Sequence, residues 1–273
     1  MNARAPLYQA RYGSPDAPTP MAGSPVIDHL LAHRSVRAYL PDPVSDDTLT
    51  AIVAAAQSAA SSSNLHAWSV VAVRDPARKA RLAELAGDQA HIRQAPLLLV
   101  WLADLARLHD VATRVGESAA ALDYLEMFEV GVIDAALAAQ NAVTAAESLG
   151  LGTVYIGAMR NRPEDVAAEL QLPPRVVAVF GLCVGTPDPQ QPASVKPRPP
   201  QSVVLHHETY SLPTQTAGLT EYDAAMSTFY ASQGMKVRGT WSNHSAKRIR
   251  DADSLSGRDR LVEALRVLGF GLR

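Results

Sequence analysis

The densest chemistry in this chain lies in five consecutive residues, His33-Arg34-Ser35-Val36-Arg37. Two guanidinium groups and an imidazole flank a hydroxyl, a combination that suits a phosphate because guanidinium binds phosphate oxygens bidentately. The group directly follows Val26, Ile27, Leu30 and Leu31, whose i, i+3, i+4 spacing predicts one face of a short helix. The same charges therefore have a plainer use, capping the orphan carbonyls at the end of that helix. Taken by itself the cluster leaves both readings open. A formal net charge of -2 argues against nucleic-acid binding by bulk electrostatics, so an anion site must be a local gathering of Arg and Lys.

Other chemistries are poorly provided for. The eight histidines are scattered, and the side chains of His206-His207 diverge in any regular element, so they make no ligand pair. No metal site is expected. Cys183 is the single cysteine and lies in the apolar run Val179-Phe180-Gly181-Leu182-Cys183-Val184, which predicts a buried, inert thiol. There is no Gly-x-Ser-x-Gly elbow, no Gly-rich dinucleotide fingerprint after the first strand and no phosphate-loop Gly-Lys-Ser/Thr pattern. Polar and basic groups without a nucleophile or general base are the inventory of a protein whose bound cofactor carries the reaction. No catalytic side chain is nominated.

Elements must bring such residues together. Residues 1–24 carry Pro6, Pro15, Pro18, Pro20, Gly13 and Gly23 and read as a flexible leader. Pro41-Asp42-Pro43 forces a turn, Ser45-Asp46-Asp47 offers N-caps, and Leu49, Ile52, Val53 and Ala56 mark a second helix. Ser61-Ser62-Ser63-Asn64 favours a loop before the strand Ser69 to Val73. A helix from Pro76 should end at Gly87 in a left-handed cap, ahead of the buried-type strand Pro96 to Leu102. The stretch from Glu117 to Leu149 is apolar nearly all round and alanine-rich, which predicts a central core or dimer-interface helix. Thr153 to Gly157 and Val176 to Val184 read as strands, with a helix from Pro163 between them. Thr186 to Gln201 is extended and proline-rich, and helices follow at about 218–232 and 257–268, with a basic loop from Gly234 to Gly239 between them. Alternating helices with about four short strands give an α+β fold, one sheet wrapped by helices. The longest strongly apolar run, Ala95 to Ala103, is too short to span a bilayer, and Met1 to Pro25 lacks a signal-peptide core, so a cytoplasmic protein is expected.

Several motifs then fall in one order: His33-Arg34-Ser35-Val36-Arg37, Ser61-Ser62-Ser63, Gly87-Asp88-Gln89-Ala90-His91, Ala139-Gln140-Asn141 through Tyr155-Ile156-Gly157, Val195-Lys196-Pro197-Arg198 and Gly239-Thr240-Trp241-Ser242-Asn243-His244. From about residue 26 onward the chain resembles the oxygen-insensitive, NADPH-preferring nitroreductases and flavin reductases that bind FMN. The resemblance implies a nitroreductase-like fold over residues 25–273, a mostly antiparallel sheet in an intertwined homodimer, with a mobile helical excursion at about 202–250. It implies that His33, Arg34 and Ser35 hold the FMN phosphate with Lys196 and Arg198. Arg37 would face the pyrimidine end of the flavin, where a fixed cation stabilises negative charge and raises the reduction potential. The loop Ser61-Ser62-Ser63 and Gln89 would hydrogen-bond the ribityl chain or ring edge. Tyr155, Ile156 and Gly157 would lie along the ring, with a backbone N–H near N5. Hydride would pass in ping-pong order from NADPH to nitroaromatics, quinones or free flavin.

Two positions depart from the family pattern. Asn64 stands where the best-known members carry an aromatic beside the acceptor, and Gln233 stands where they use an arginine for the NADPH phosphate. Lys236, Arg238, Arg160 and Arg258 remain as candidate cations for that nucleotide. Three rivals stay open: a flavin or quinone reductase with nitro reduction as a side activity, an FMN-binding redox protein with poor turnover, and a non-flavin anion-binding protein, which predicts a colourless preparation.

Overall fold

The computed structural model describes residues 4–273. In chain order the helices are α1 (Ala5–Tyr12), α2 (Pro25–Leu31), α3 (Asp46–Gln57), α4 (Pro76–Leu85), α5 (Ala90–Gln94), α6 (Ala106–Val115), α7 (Leu125–Ser148), α8 (Pro163–Glu169), α9 (Gln201–Val204), α10 (Thr216–Ser232), α11 (Trp241–Arg248) and α12 (Leu261–Val267). The strands are β1 (Trp68–Val73), β2 (Leu97–Asp104), β3 (Gly152–Ile156) and β4 (Val176–Gly185). The chain forms two compact units, one of residues 35–193 and 256–273, the other of residues 4–34 and 194–255.

The larger unit is built on a four-stranded sheet of order β1-β2-β4-β3, every neighbouring pair antiparallel. All of β2 is buried, and its side chains alternate between two cores as the two-residue period of a strand requires. Leu98, Val100 and Leu102 face Leu82, Leu85, Ile92 and Val166 of α4, α5 and α8. Leu97, Leu99 and Trp101 face Ile52 and Ala56 of α3 and the alanines 138, 139, 142 and 146 of α7. The sheet is thus covered on both faces, the α+β arrangement that the element pattern predicts. The second turn of the prediction holds as well: Gly87 has φ 76°, and Asp88 N–H reaches back to the Ala83 carbonyl at 2.8 Å, sealing α4.

Helix α7 is buried on one side only. Ala135, Ala138, Ala139 and Ala142 face the sheet, whereas Ile133 is 53% exposed and Leu137 44%. The sequence could not separate core from interface here because alanine satisfies both.

In the smaller unit the main departure from expectation is α1. Residues 1–24 read as a flexible leader, yet Ala5–Tyr12 is a helix. Its proline occupies the first turn, where a missing N–H costs nothing, and Gly13 closes the other end at φ 66°. The residues taken as breakers are this helix's start and stop signals. Residues 1–3 of the expected leader lie outside the described residues.

Candidate functional site

The predicted phosphate residues belong to the smaller unit apart from Ser35. His33 and Arg34 follow the end of α2, and Lys196 and Arg198 alternate with the buried Pro197 on an extended segment. The periodicity of that segment leaves Lys196 and Arg198 exposed, while Tyr222 of α10 donates its hydroxyl to the Pro197 carbonyl at 3.2 Å. Arg34 is also exposed, with a long 3.4 Å bond to the Ala32 carbonyl. The local capping that the sequence allowed for this cluster is largely done by another residue. Arg11 of α1, 8% exposed, donates to the Leu31 carbonyl through Nε at 3.2 Å and Nη2 at 2.7 Å. It also donates to the carbonyls of His33 at 2.7 Å and Lys196 at 3.0 Å. Arg11 had no signal in the sequence, because its surroundings look like a leader.

The remaining flavin candidates lie in the larger unit. Ser35 forms a parallel bridge with Thr153, and Val36 N–H donates to the Thr153 carbonyl at 2.9 Å. Val36 is buried against Gly152, so the alternation of an extended strand turns Ser35 and Arg37 outward, and both are exposed. Gly152 is required by this approach: a Cβ there would lie 2.7 Å from Val36. Tyr39 donates to the Val36 carbonyl at 2.6 Å, and burial holds its phenol protonated far above the ordinary range.

The serine loop is fastened by a residue the sequence reading passed over. Asp134 of α7, 1% exposed, accepts from Ser61 Oγ at 2.7 Å, Ser62 N–H at 3.1 Å and Ala67 N–H at 3.0 Å. Its signal was a lone carboxylate within Val130-Gly131-Val132-Ile133-Asp134-Ala135. The Ser61 hydroxyl also accepts from His66 N–H at 2.8 Å and so is engaged within the loop. Ser62, Ser63 and Asn64 are exposed at its tip. Ser63, Asn64 and His66 take φ of 49°, 58° and 50°, a left-handed conformation that short polar residues tolerate best. Asn64 Oδ1 meets His66 Nε2 at 2.9 Å.

Gln89 spends one amide N–H on the Ala86 carbonyl at 2.8 Å, at the end of α4. Nearby, His91 Nε2 is buried and without a hydrogen-bond partner among the described residues. Burial and then the charge of Arg37 lower the pKa of this imidazole, which keeps it neutral. At the end of β3, Tyr155 is half-exposed and meets Phe180 edge-on at 5.1 Å. Burial, then Glu147, raises its phenol above the ordinary value. Ile156 is 1% exposed, so only its backbone is free to line a site. Gly157 is partly exposed, and a Cβ there would be in ordinary contact with the Arg160 guanidinium at 3.5 Å.

Of the nucleotide candidates, Lys236 and Arg238 are exposed on the loop between α10 and α11 in the smaller unit. Arg160, which donates to the Val179 carbonyl, and Arg258, which bonds Asn161 at 2.9 Å, belong to the larger unit. Burial first, and then the like charge of Arg258, lower the Arg160 pKa. The Cys183 thiol is buried and pushed up to about 12, in keeping with an inert core residue.

Exposed cations, hydroxyls and a strand-end glycine are the groups that a bound cofactor would use. Comparison with known proteins identifies the family. The nitroreductase family model matches residues 30–186, and the model for the family's C-terminal domain matches residues 196–273. The oxygen-insensitive NADPH nitroreductase of Salmonella typhimurium is 39% identical over 251 residues, 92% of this chain and 100% of that protein. An FMN reductase (NADPH) of Bacillus subtilis is 39% identical over 80% of this chain and 88% of its own length. The solved structure of the hypothetical oxidoreductase YcnD from Bacillus subtilis superposes with a TM-score of 0.86 at 36% identity, covering 92% of this chain and 100% of that one. The chain belongs to the nitroreductase family.

Proposed function

We propose that this protein is an FMN-dependent NADPH oxidoreductase that delivers two electrons to nitroaromatics, quinones or free flavin in ping-pong order. The observation that carries this reading is a set of polar groups held outward by buried neighbours. Lys196 and Arg198 flank buried Pro197, Ser35 and Arg37 flank buried Val36, and the serine tip is fixed by Asp134. His91 Nε2, buried and without a hydrogen-bond partner among the described residues, fits a polar ligand edge. The residues present therefore suit FMN.

Bound FMN would supply the two-electron chemistry, taking hydride from NADPH and passing it to the acceptor. His33, Arg34, Ser35, Lys196 and Arg198 would hold its phosphate by charge-assisted hydrogen bonds. Arg37 would stabilise negative charge at the pyrimidine edge. Ser62, Ser63 and Gln89 have hydrogen-bonding groups to offer the ribityl chain, and Ser61 would act by shaping the loop. The backbone of Ile156 and Gly157 would border the ring, since the Ile156 side chain is in the core. Arg160, Arg258, Lys236 and Arg238 would supply positive charge to the nucleotide, and Asn64 would border the acceptor. Preference for NADPH over NADH follows from those cations, despite Gln233.

A flavin spectrum tests the proposal. Purified protein should be yellow or become so with FMN, bleach with NADPH without oxygen, and recover with nitrofurazone. A protein that stays colourless and cannot be reconstituted overturns it. Parallel double-reciprocal plots would support the ping-pong order, and equal kcat/KM for NADPH and NADH would remove the nucleotide preference. The exposed Ile133 and Leu137 on α7 support a homodimer, because a small-residue helix with an apolar outer stripe can approach its copy closely.

A further inference from the structure

Arg11 stands outside the segments that the family models match, which begin at residue 30. Its guanidinium nevertheless holds both of the short segments nominated for the cofactor phosphate. One side takes the carbonyls of Leu31 and His33, and Nη1 takes that of Lys196. The tie is reciprocal, since Arg198 N–H donates to the Arg11 carbonyl at 2.8 Å. Three consequences follow from elementary electrostatics. The Leu31 carbonyl that ends α2 and the His33 carbonyl beyond it carry partial negative charge, the wrong sign for a neighbouring anion, and Arg11 offsets both. Arg34, Lys196 and Arg198 carry like charge, so gathering their segments is opposed by repulsion that a fastening contact offsets. A planar fork with five donors can fasten several carbonyls at fixed angles, which an ammonium cannot.

We propose that Arg11 is a positioning residue for the phosphate of FMN. It holds the His33 and Lys196 segments in register and turns a helix C-terminus from repelling an anion to accepting one. The N-terminal helix is then a part of the cofactor site rather than a leader. The inference rests on the phosphate assignment proposed above, with Arg11 acting through the backbone of the residues that touch the ligand.

Riboflavin, which lacks the phosphate, provides the discriminating probe. Apoprotein would be titrated with FMN and with riboflavin, following quenching of flavin fluorescence, for the wild type, Arg11→Met and Arg11→Lys. The wild type should bind FMN more tightly than riboflavin. Arg11→Met should weaken FMN at least tenfold and leave riboflavin within twofold. Arg11→Lys, which keeps a cation in place and guards against a variant that does not fold, should lose an intermediate amount. Variants that retain the wild-type ratio of FMN to riboflavin affinity overturn the inference while leaving the phosphate assignment standing. So does an equal loss of both ligands, the mark of a general folding defect. A wild type with no preference for FMN over riboflavin removes the phosphate assignment itself, and the role of Arg11 with it.

Discussion

Ser61 Oγ lies 2.7 Å from Asp134 Oδ2, a hydrogen bond between residues 73 positions apart that fastens the serine loop to the central helix. The same carboxylate accepts two backbone N–H groups of that loop, so both of its oxygens are used. Asp134→Asn keeps the shape and removes the match. If the amide oxygen faces Ser61 and Ala67, its NH2 confronts the Ser62 N–H, and two donors oppose each other in a buried place. A loss of about 2–3 kcal/mol is expected, the cost of leaving a buried polar group unsatisfied beside a lost charge-assisted bond. Urea unfolding measures it. A variant as stable as the wild type would show that the carboxylate is dispensable to the loop.

That bond also marks where the sequence stops being informative. The hydrophobic period found β2, α3 and the long α7, because each buries one stripe or one run continuously. Gly87 announced its left-handed cap because few other residues fit it cheaply. The partner of Asp134 lies 73 positions back along the chain, and no local pattern encodes such a distance. Arg11 was hidden for another reason. Pro6 and Gly13 punctuate a helix at its two ends but read as disorder when counted together with Pro15, Pro18 and Pro20. Ile156 is expected along the ring from its place in a motif, and its buried side chain leaves only its backbone for that role. The flavin candidates themselves were legible as types and order, and what the fold adds is which of their atoms face outward.

Gly152 should tolerate no side chain. Its added Cβ would sit 2.7 Å from Val36 and push away the extended segment that carries Ser35 and Arg37. Gly152→Ala is expected to cost about 1–3 kcal/mol, the usual range for overpacking a filled core. Adding Val36→Ala should restore only part of the lost thermal stability, because the two Cγ methyl groups go but the Cβ, itself 2.7 Å from the added atom, remains. A single mutant with an unchanged melting temperature would contradict this close packing.

His91 gives the protein an acid-sensitive element. Burial, with repulsion from Arg37 second, holds its folded-state pKa below the ordinary 6.5. As pH falls through about 6.5 the unfolded chain gains a proton on His91 that the folded chain does not, so stability declines until the lower, folded-state value is passed. Above 6.5 both states are neutral and His91 has no effect on the pH slope. Denaturant midpoints of the wild type and His91→Gln, measured from pH 8 to pH 5, should therefore keep a constant difference at first. Below 6.5 the wild type should fall faster. Parallel curves over the whole range would mean that His91 titrates as it does in the unfolded chain.

Leu137 and Ile133 are large apolar side chains on the outer face of a helix whose inner face is already committed to the sheet. Burying a leucine side chain stabilises by roughly 1.5–3 kcal/mol, and in a twofold interface the gain is made twice. Leu137→Glu reverses the sign at both copies, placing two carboxylates against an apolar surface where desolvation opposes charge. Sedimentation should find the wild type dimeric and Leu137→Glu shifted strongly toward monomer, with little change in far-ultraviolet circular dichroism, because the inner face of α7 is untouched. If the variant sediments like the wild type at micromolar concentration, this stripe is not what joins two copies, and the outer face of α7 must serve some other contact.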